Sequence, residues 1–265
     1  MKYYVVADVH GFYSAMVKAL NDNGFFDDKE PHKLIVCGDM MDRGQEALEM
    51  QAFMVDLMEK GELIFIRGNH EDLLIEMLMN FDKHLWRIAL GGSHHVSNGT
   101  WETALMLSGM TEKEALRDTD VFVNRVWASD FYQKLIRASI DYFETPNYIF
   151  VHGSIPCFTD KLPSWYREGR HYKYNPDWRN ANKEDWDSAR WFNGMELAVS
   201  HGIKEEGKQI VCGHWHASYG HAVYEHTCSE NGPDADHTPY YGDGVIGIDA
   251  RTARTGFVNC LVIED

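Results

Sequence analysis

The chain has 265 residues, is 44% hydrophobic and 25% charged, and carries a formal net charge of −16. That length supports one large core without demanding a second, so residues 1–265 are expected to form a single α/β domain. The acidic balance argues against a nucleic-acid partner, because proteins that neutralise many phosphates carry a basic face.

In chain order, Tyr3 to Val9 reads as a buried strand. Phe12, Ala15, Met16, Ala19 and Leu20 then fall on one face of a helix that Gly24 closes. Lys33 to Cys37 is a second strand. Ala47, Met50, Met54, Leu57 and Met58 mark a second helix, ended near Gly61. Glu62 to Ile66 is a third strand, and Leu73, Leu74, Met77 and Leu78 belong to a third helix. This alternation implies a parallel sheet covered by helices. Residues 80–145 lack strand signals and read as a mainly helical insertion, with His94 and His95 as solvated residues of a loop from Gly91 to Gly99. Strands return at Tyr148 to Val151, Gln209 to Cys212, Val245 to Ile248 and Gly256 to Ile263. Residues 157–188, rich in Trp, Tyr, Arg and Pro, read as a surface excursion, and Thr227 to Gly244 as a loop. Most of the tryptophans are expected to pack the insertion onto the sheet.

No apolar run approaches the roughly 20 residues of a membrane span, and Met1 to Asp8 lacks a leader pattern. The five cysteines include no Cys-x-x-Cys pair. An odd, unpatterned set suits a reducing compartment, so the expected location is cytoplasmic, with no membrane partner.

Five polar motifs follow predicted strands: Asp8-Val9-His10-Gly11, Gly38 through Gly44 (Gly-Asp-Met-Met-Asp-Arg-Gly), Gly68-Asn69-His70-Glu71, Val151-His152-Gly153 and Gly213-His214-Trp215-His216. Ligands in open α/β folds bind beyond the carboxyl ends of strands. Carboxylate and imidazole donors together suit first-row metals such as Mn, Fe, Zn, Ni or Co. Two such cations need a bridging anion, which Asp39 can supply.

These motifs resemble those of the calcineurin-like metallophosphoesterases, and within them the bacterial and phage serine/threonine phosphoprotein phosphatases. The family signatures Gly-Asp-x-x-Asp-Arg-Gly and Gly-Asn-His-Glu are intact; Gly-Asp-x-His-Gly is present with Ala7 in place of its first glycine. The resemblance implies a β-sandwich of two mixed sheets flanked by helices, with the helical insertion. It implies two divalent or trivalent metal ions, manganese foremost, and hydrolysis of phosphate monoesters through metal-bound hydroxide. Asp8 and His10 would hold the first ion, Asp39 would bridge, and Asn69, His152 and His214 would hold the second. His70 would be the general acid, oriented by Asp42. Arg43 would clamp the phosphate with Asn69 beside it, and Glu71 would buttress Arg43. Asn98-Gly99 with Thr103, and Trp186 through Gly194, resemble segments of bacterial members. The second match makes Arg190 either a further phosphate ligand or a structural residue stacked on Trp186 or Trp191.

The chain departs from the phosphatase pattern at Ser154, where Gly is usual, and at Trp215-His216, where Gly-His-Thr is usual. A Gly-His-x-His ending occurs in the wider superfamily, so His216 would complete the first metal's shell or lie just behind it. The substrate is then a phosphoprotein or a small phosphate ester. The alternatives are a symmetrical dinucleoside tetraphosphate or a phosphodiester.

Overall fold

A computed structural model of the chain describes residues 1–159 and 171–265. The chain runs β1 (Lys2–Val6), α1 (Tyr13–Asp22), β2 (His32–Cys37), α2 (Ala47–Glu59), β3 (Leu63–Ile66) and α3 (Asn69–Met79). A helical stretch follows: α4 (Phe81–Ala89), α5 (His94–Ser97), α6 (Thr100–Ser108), α7 (Glu112–Arg117), α8 (Thr119–Trp127) and a π-helical segment, Phe131–Ile136. Next come β4 (Phe143–Glu144), β5 (Tyr148–Phe150), β6 (Cys157–Thr159), β7 (Tyr172–Tyr174), α9 (Lys183–Ala189) and α10 (Gly194–His201). The chain ends with β8 (Gln209–His216), β9 (Tyr240–Gly242), β10 (Val245–Asp249) and β11 (Leu261–Glu264).

Two mixed sheets result. The first has the order β11-β1-β2-β3, with β1 to β3 parallel and β11 antiparallel to β1. The second has the order β4-β5-β8-β10-β9, with β5, β8 and β10 parallel between antiparallel edges. Period-two alternation explains how they stack. Tyr3, Val5, Ala7, Ile35 and Cys37 face Phe150, Val211, Ile246 and Ile248 in the layer between the sheets. Tyr4, Val6, Leu34 and Val36 face the opposite way, under α1, α2 and the helical stretch. Ile149, Val151, Ile210 and Cys212 face away from that middle layer and lie under Met195, Leu197, Trp178 and Trp186. The order of layers is helices, sheet, sheet, helices.

Several expected boundaries shift for physical reasons. Strand β1 stops at Val6 rather than Val9, because Asp8 and His10 take positive φ. Helix α3 begins at Asn69, which puts Asn69 and His70 in its first turn. The helical stretch ends at Ile136, and β4 lies within the span expected to be helical. The expected excursion at 157–188 is described except for residues 160–170, which lie outside the described residues. Its described part is not all surface. Strands β6 and β7 pair antiparallel, and Trp178 and Trp186 are buried over the second sheet. His95, expected to be solvated, is fully buried.

Candidate metal centre

The loops after β1, β2, β3 and β5 and the carboxyl end of β8 meet at the carboxyl ends of the two sheets. Backbone bonds join them directly: Asp8 N–H to Gly38 O (3.2 Å), His10 N–H to Asp39 O (3.0 Å) and Gly213 N–H to His152 O (2.8 Å). Turning the chain this sharply costs conformational energy. Of the eight non-glycine residues with positive φ among the described residues, six lie here: Asp8, His10, Asp39, Asp42, Arg43 and His214. Glycine is required where backbones pass carboxylates closely. A Cβ on Gly68 would lie 2.2 Å from Asp39 Oδ1, and one on Gly213 would lie 2.0 Å from Asp8 Oδ2.

Asp8, His10, Asp39, Asp42, Asn69, His70 and His152 are all buried, and His214 is half-buried. Hydrogen bonds to fixed acceptors set the imidazole tautomers. His10 Nδ1 donates to Met41 O (3.1 Å), His152 Nδ1 to Cys37 O (2.8 Å) and His70 Nδ1 to the Asp42 carboxylate (2.7 Å). Each Nε2 lone pair is thereby turned inward. His152 Nε2 lies 2.7 Å from Asn69 Oδ1 and 3.3 Å from Asp39 Oδ1, and His214 Nδ1 lies 2.9 Å from Asn69 Oδ1. His10 Nε2 and His70 Nε2 each lie 3.8 Å from Asp39 Oδ2. Acceptors facing acceptors at these distances fit a cation between them. Two groups share Asp39, namely His10-Asp39-His70 and Asp39-His152-His214. The Arg43 guanidinium, a pure donor, points into the first, with Nη1 2.7 Å from His10 Nε2 and Nη2 3.1 Å from His70 Nε2.

The electrostatics favour the same ion. Burial, with Asp249 and Asp39 alongside, pushes the Asp8 carboxyl well above its ordinary range. Burial also pushes Asp249 up to about 6. Burial acts on Asp39 in the same upward direction, but the surrounding imidazoles, led by His152, outweigh it and hold the carboxyl low. Burial drives His10 and His152 down and takes His214 to about 3, leaving neutral rings with lone pairs to offer. His70 differs. Burial opposes its charging, yet Asp39 and Asp42 more than offset this and raise it.

Other predicted residues fall elsewhere. Asp8 accepts the His214 backbone N–H at 2.9 and 3.1 Å and belongs to neither three-residue group. His216 also lies outside both groups; its Nε2 is 3.2 Å from Glu230 Oε1. Arg190 is buried with its guanidinium among carboxylates, 2.9 Å from Asp187, 3.0 Å from Asp141 and 3.5 Å from Asp72. Its guanidinium is engaged by these carboxylates, while Nε has no hydrogen-bond partner. Glu71 does not buttress Arg43. Its carboxylate instead accepts backbone N–H groups from Gly68 (2.7 Å), Met40 (3.0 Å) and Asp39 (3.1 Å), and burial lifts it to about 7.

Two contributors, Thr100 and Asp249, escaped the sequence pattern. Thr100 donates to Asp42 Oδ2 (2.7 Å), while Thr103 accepts the Asp42 N–H (3.1 Å). Asp249 ends β10 beside β8 and bears electrostatically on Asp8. It follows an apolar strand run, the same signal that marks the other five motifs. A cavity of about 450 Å³ opens from His10, Arg43 and His214 past Trp215 to Arg251 and Arg254.

The family model for calcineurin-like phosphoesterases matches residues 1–234. The chain belongs to that family. Calcineurin-like phosphoesterases are metal-dependent and typically binuclear, in keeping with the two donor groups that share Asp39. This member is 29% identical over 113 residues to serine/threonine-protein phosphatase 1 of Salmonella typhimurium, covering 43% of this chain and 46% of that one. It is 26% identical over 141 residues to an asymmetrical bis(5'-nucleosyl)-tetraphosphatase of Bacillus subtilis, covering 51% and 53%. The chain thus spans about half the length of these curated relatives. A metallophosphoesterase structure from Sphaerobacter thermophilus aligns over 100% of this chain and 84% of that one, with 14% identity and a TM-score of 0.46. Among the described residues, no helix is long and apolar enough to cross a membrane.

Proposed function

We propose that this calcineurin-like phosphoesterase hydrolyses phosphate monoesters at a centre of two metal ions, in the manner of a serine/threonine phosphatase. The observation that carries the reading is the convergence of acceptor atoms from His10, Asn69, His152 and His214 on Asp39, with Arg43 beside them. Asp39 would be shared by the two ions, Asp8 and His10 would hold one, and Asn69, His152 and His214 would hold the other, with manganese the leading candidate. Bound there, the ions would supply activated water and positive charge against the phosphoryl oxygens. Arg43 holds phosphate oxygens through its planar fork. His70 passes a proton to the leaving oxygen, and Asp42, itself fixed by Thr100 and Thr103, keeps that ring oriented. Residues 1–265 act as one domain, and the five free cysteines suit a reducing, cytoplasmic setting.

A second reading is cleavage of a dinucleoside polyphosphate. The cavity favours it, because exposed Trp215 could stack a base while Arg251 and Arg254 face further phosphates. The Bacillus relative is named for asymmetrical cleavage, not for the symmetrical reaction raised by the sequence pattern. Rates on a phosphoserine peptide, a dinucleoside tetraphosphate and bis-p-nitrophenyl phosphate separate the readings. Monoester preference is expected. A dinucleotide preference that falls at least tenfold in Arg254→Ala would overturn it in favour of the second reading.

A further inference from the structure

We propose a separate metal site for one zinc-class ion, formed by Glu76, His84, His94 and His95 where α3, α4 and α5 meet. His84 Nε2 lies 2.9 Å from Glu76 Oε1, and His95 Nε2 lies 2.9 Å from Glu76 Oε2. Donor atoms of these three residues all lie within 4.8 Å of one another. His94 adds a fourth, its Nε2 3.9 Å from Glu76 Oε2 and its ring centroid 3.9 Å from that of His95. Metal–ligand bonds of about 2.0–2.2 Å place tetrahedral ligand atoms roughly 3.4 Å apart. Shifts of about half an ångström would therefore admit the ion.

A cluster held only by hydrogen bonds leaves one feature unexplained. His95 is fully buried, yet its Nδ1 has no hydrogen-bond partner, and its Nε2, though 2.9 Å from Glu76 Oε2, is not aligned for a hydrogen bond with it. Poorly satisfied buried polar atoms are costly, and a cation held between His95 Nε2 and Glu76 Oε2 would satisfy both. Three imidazoles and a carboxylate match zinc's preference for nitrogen and oxygen ligands.

The site lies apart from the Asp39 centre but on a shared helix. Glu76 follows His70 on α3 by six residues, roughly 9 Å of helical rise. An ion there would tie α4 and α5, across the Gly91-Gly92 turn, to the helix that carries Asn69 and His70. Because a structural metal contributes binding energy to the folded state alone, it would raise thermal stability.

The test strips the full chain with chelator, restores zinc or cobalt, and counts bound ions by elemental analysis. His84→Asn and Glu76→Gln should each hold one ion fewer per chain than wild type. Asp39→Asn, which disturbs the other centre, should keep this ion, show the visible absorption of tetrahedral cobalt and melt higher with zinc. Adding His84→Asn to Asp39→Asn should abolish both signals. Equal metal counts in wild type, His84→Asn and Glu76→Gln, with no zinc-dependent melting shift in Asp39→Asn, would leave a hydrogen-bonded cluster and overturn the proposal. Loss of the cobalt signal in Asp39→Asn alone would assign that ion to the centre already described.

Discussion

The His70 backbone N–H donates to Asp39 Oδ1 at 2.9 Å, but the two side chains are built for different tasks. Asp39 is the shared corner of two donor groups, so Asp39→Asn should lower the content of both ions, as measured by elemental analysis. His70 is the imidazole raised against its burial and fixed by Asp42. His70→Asn should leave metal content unchanged and reduce turnover by about 10²–10⁴-fold, the usual contribution of a general acid. Unchanged turnover would remove His70 from that role. These residues were legible in the sequence because each lies in a short motif next to a strand. The partners of Arg190, Glu71 and His95 were not, because they arrive from other segments. Arg190 meets Asp72 and Asp141, Glu71 meets the Asp39 and Met40 amides, and His95 meets Glu76 across α4. A motif names a side chain but not what competes for it.

At the scale of elements, the long alternating segments were readable and the short ones were not. Strands β4, β6, β7 and β9 have two or three residues each, too few to show a period. They are held by tertiary contacts instead. On β4, Glu144 receives Arg179 in a fork at 2.9 and 2.6 Å, with Lys208 at 2.9 Å, and Arg179 reaches on to Glu205 at 3.0 Å. The bond from Arg179 holds the Glu144 carboxyl down at about 2; burial opposes it, and Lys208 assists. The folded pKa lies below the ordinary glutamate value of 4.5, so this contribution is complete above about pH 4.5 and is lost as pH falls towards 2. Because the network is partly exposed, it should be worth only about 1 kcal/mol. Glu144→Gln should therefore unfold more easily than wild type in urea at pH 6, and the difference should fade by pH 2.5. A difference that grows on acidification would contradict the network. Tryptophans 178 and 186 were expected to pack the insertion. They roof the second sheet instead, because α9 and the turn before it fold back over β5 and β8.

For the whole molecule, a chain of net charge −16 concentrates buried carboxylates from Asp8, Asp39 and Asp249 at one edge of a two-sheet sandwich. Such a site handles an anionic phosphate only with positive charge added locally. Arg43 provides part of it and metal ions would provide the rest. The stacking of the second sheet on the first is what brings His152 and His214 against Asp39, a juxtaposition that strand order alone does not reveal. The central claim is that this edge hydrolyses phosphate esters only when metal is bound there. Its most direct test is p-nitrophenyl phosphate hydrolysis by the full chain after chelation and after manganese is restored. The account predicts that chelation abolishes turnover and that manganese, or another first-row divalent ion, restores it. Turnover that persists in excess chelator, or that no divalent metal restores, would contradict the account.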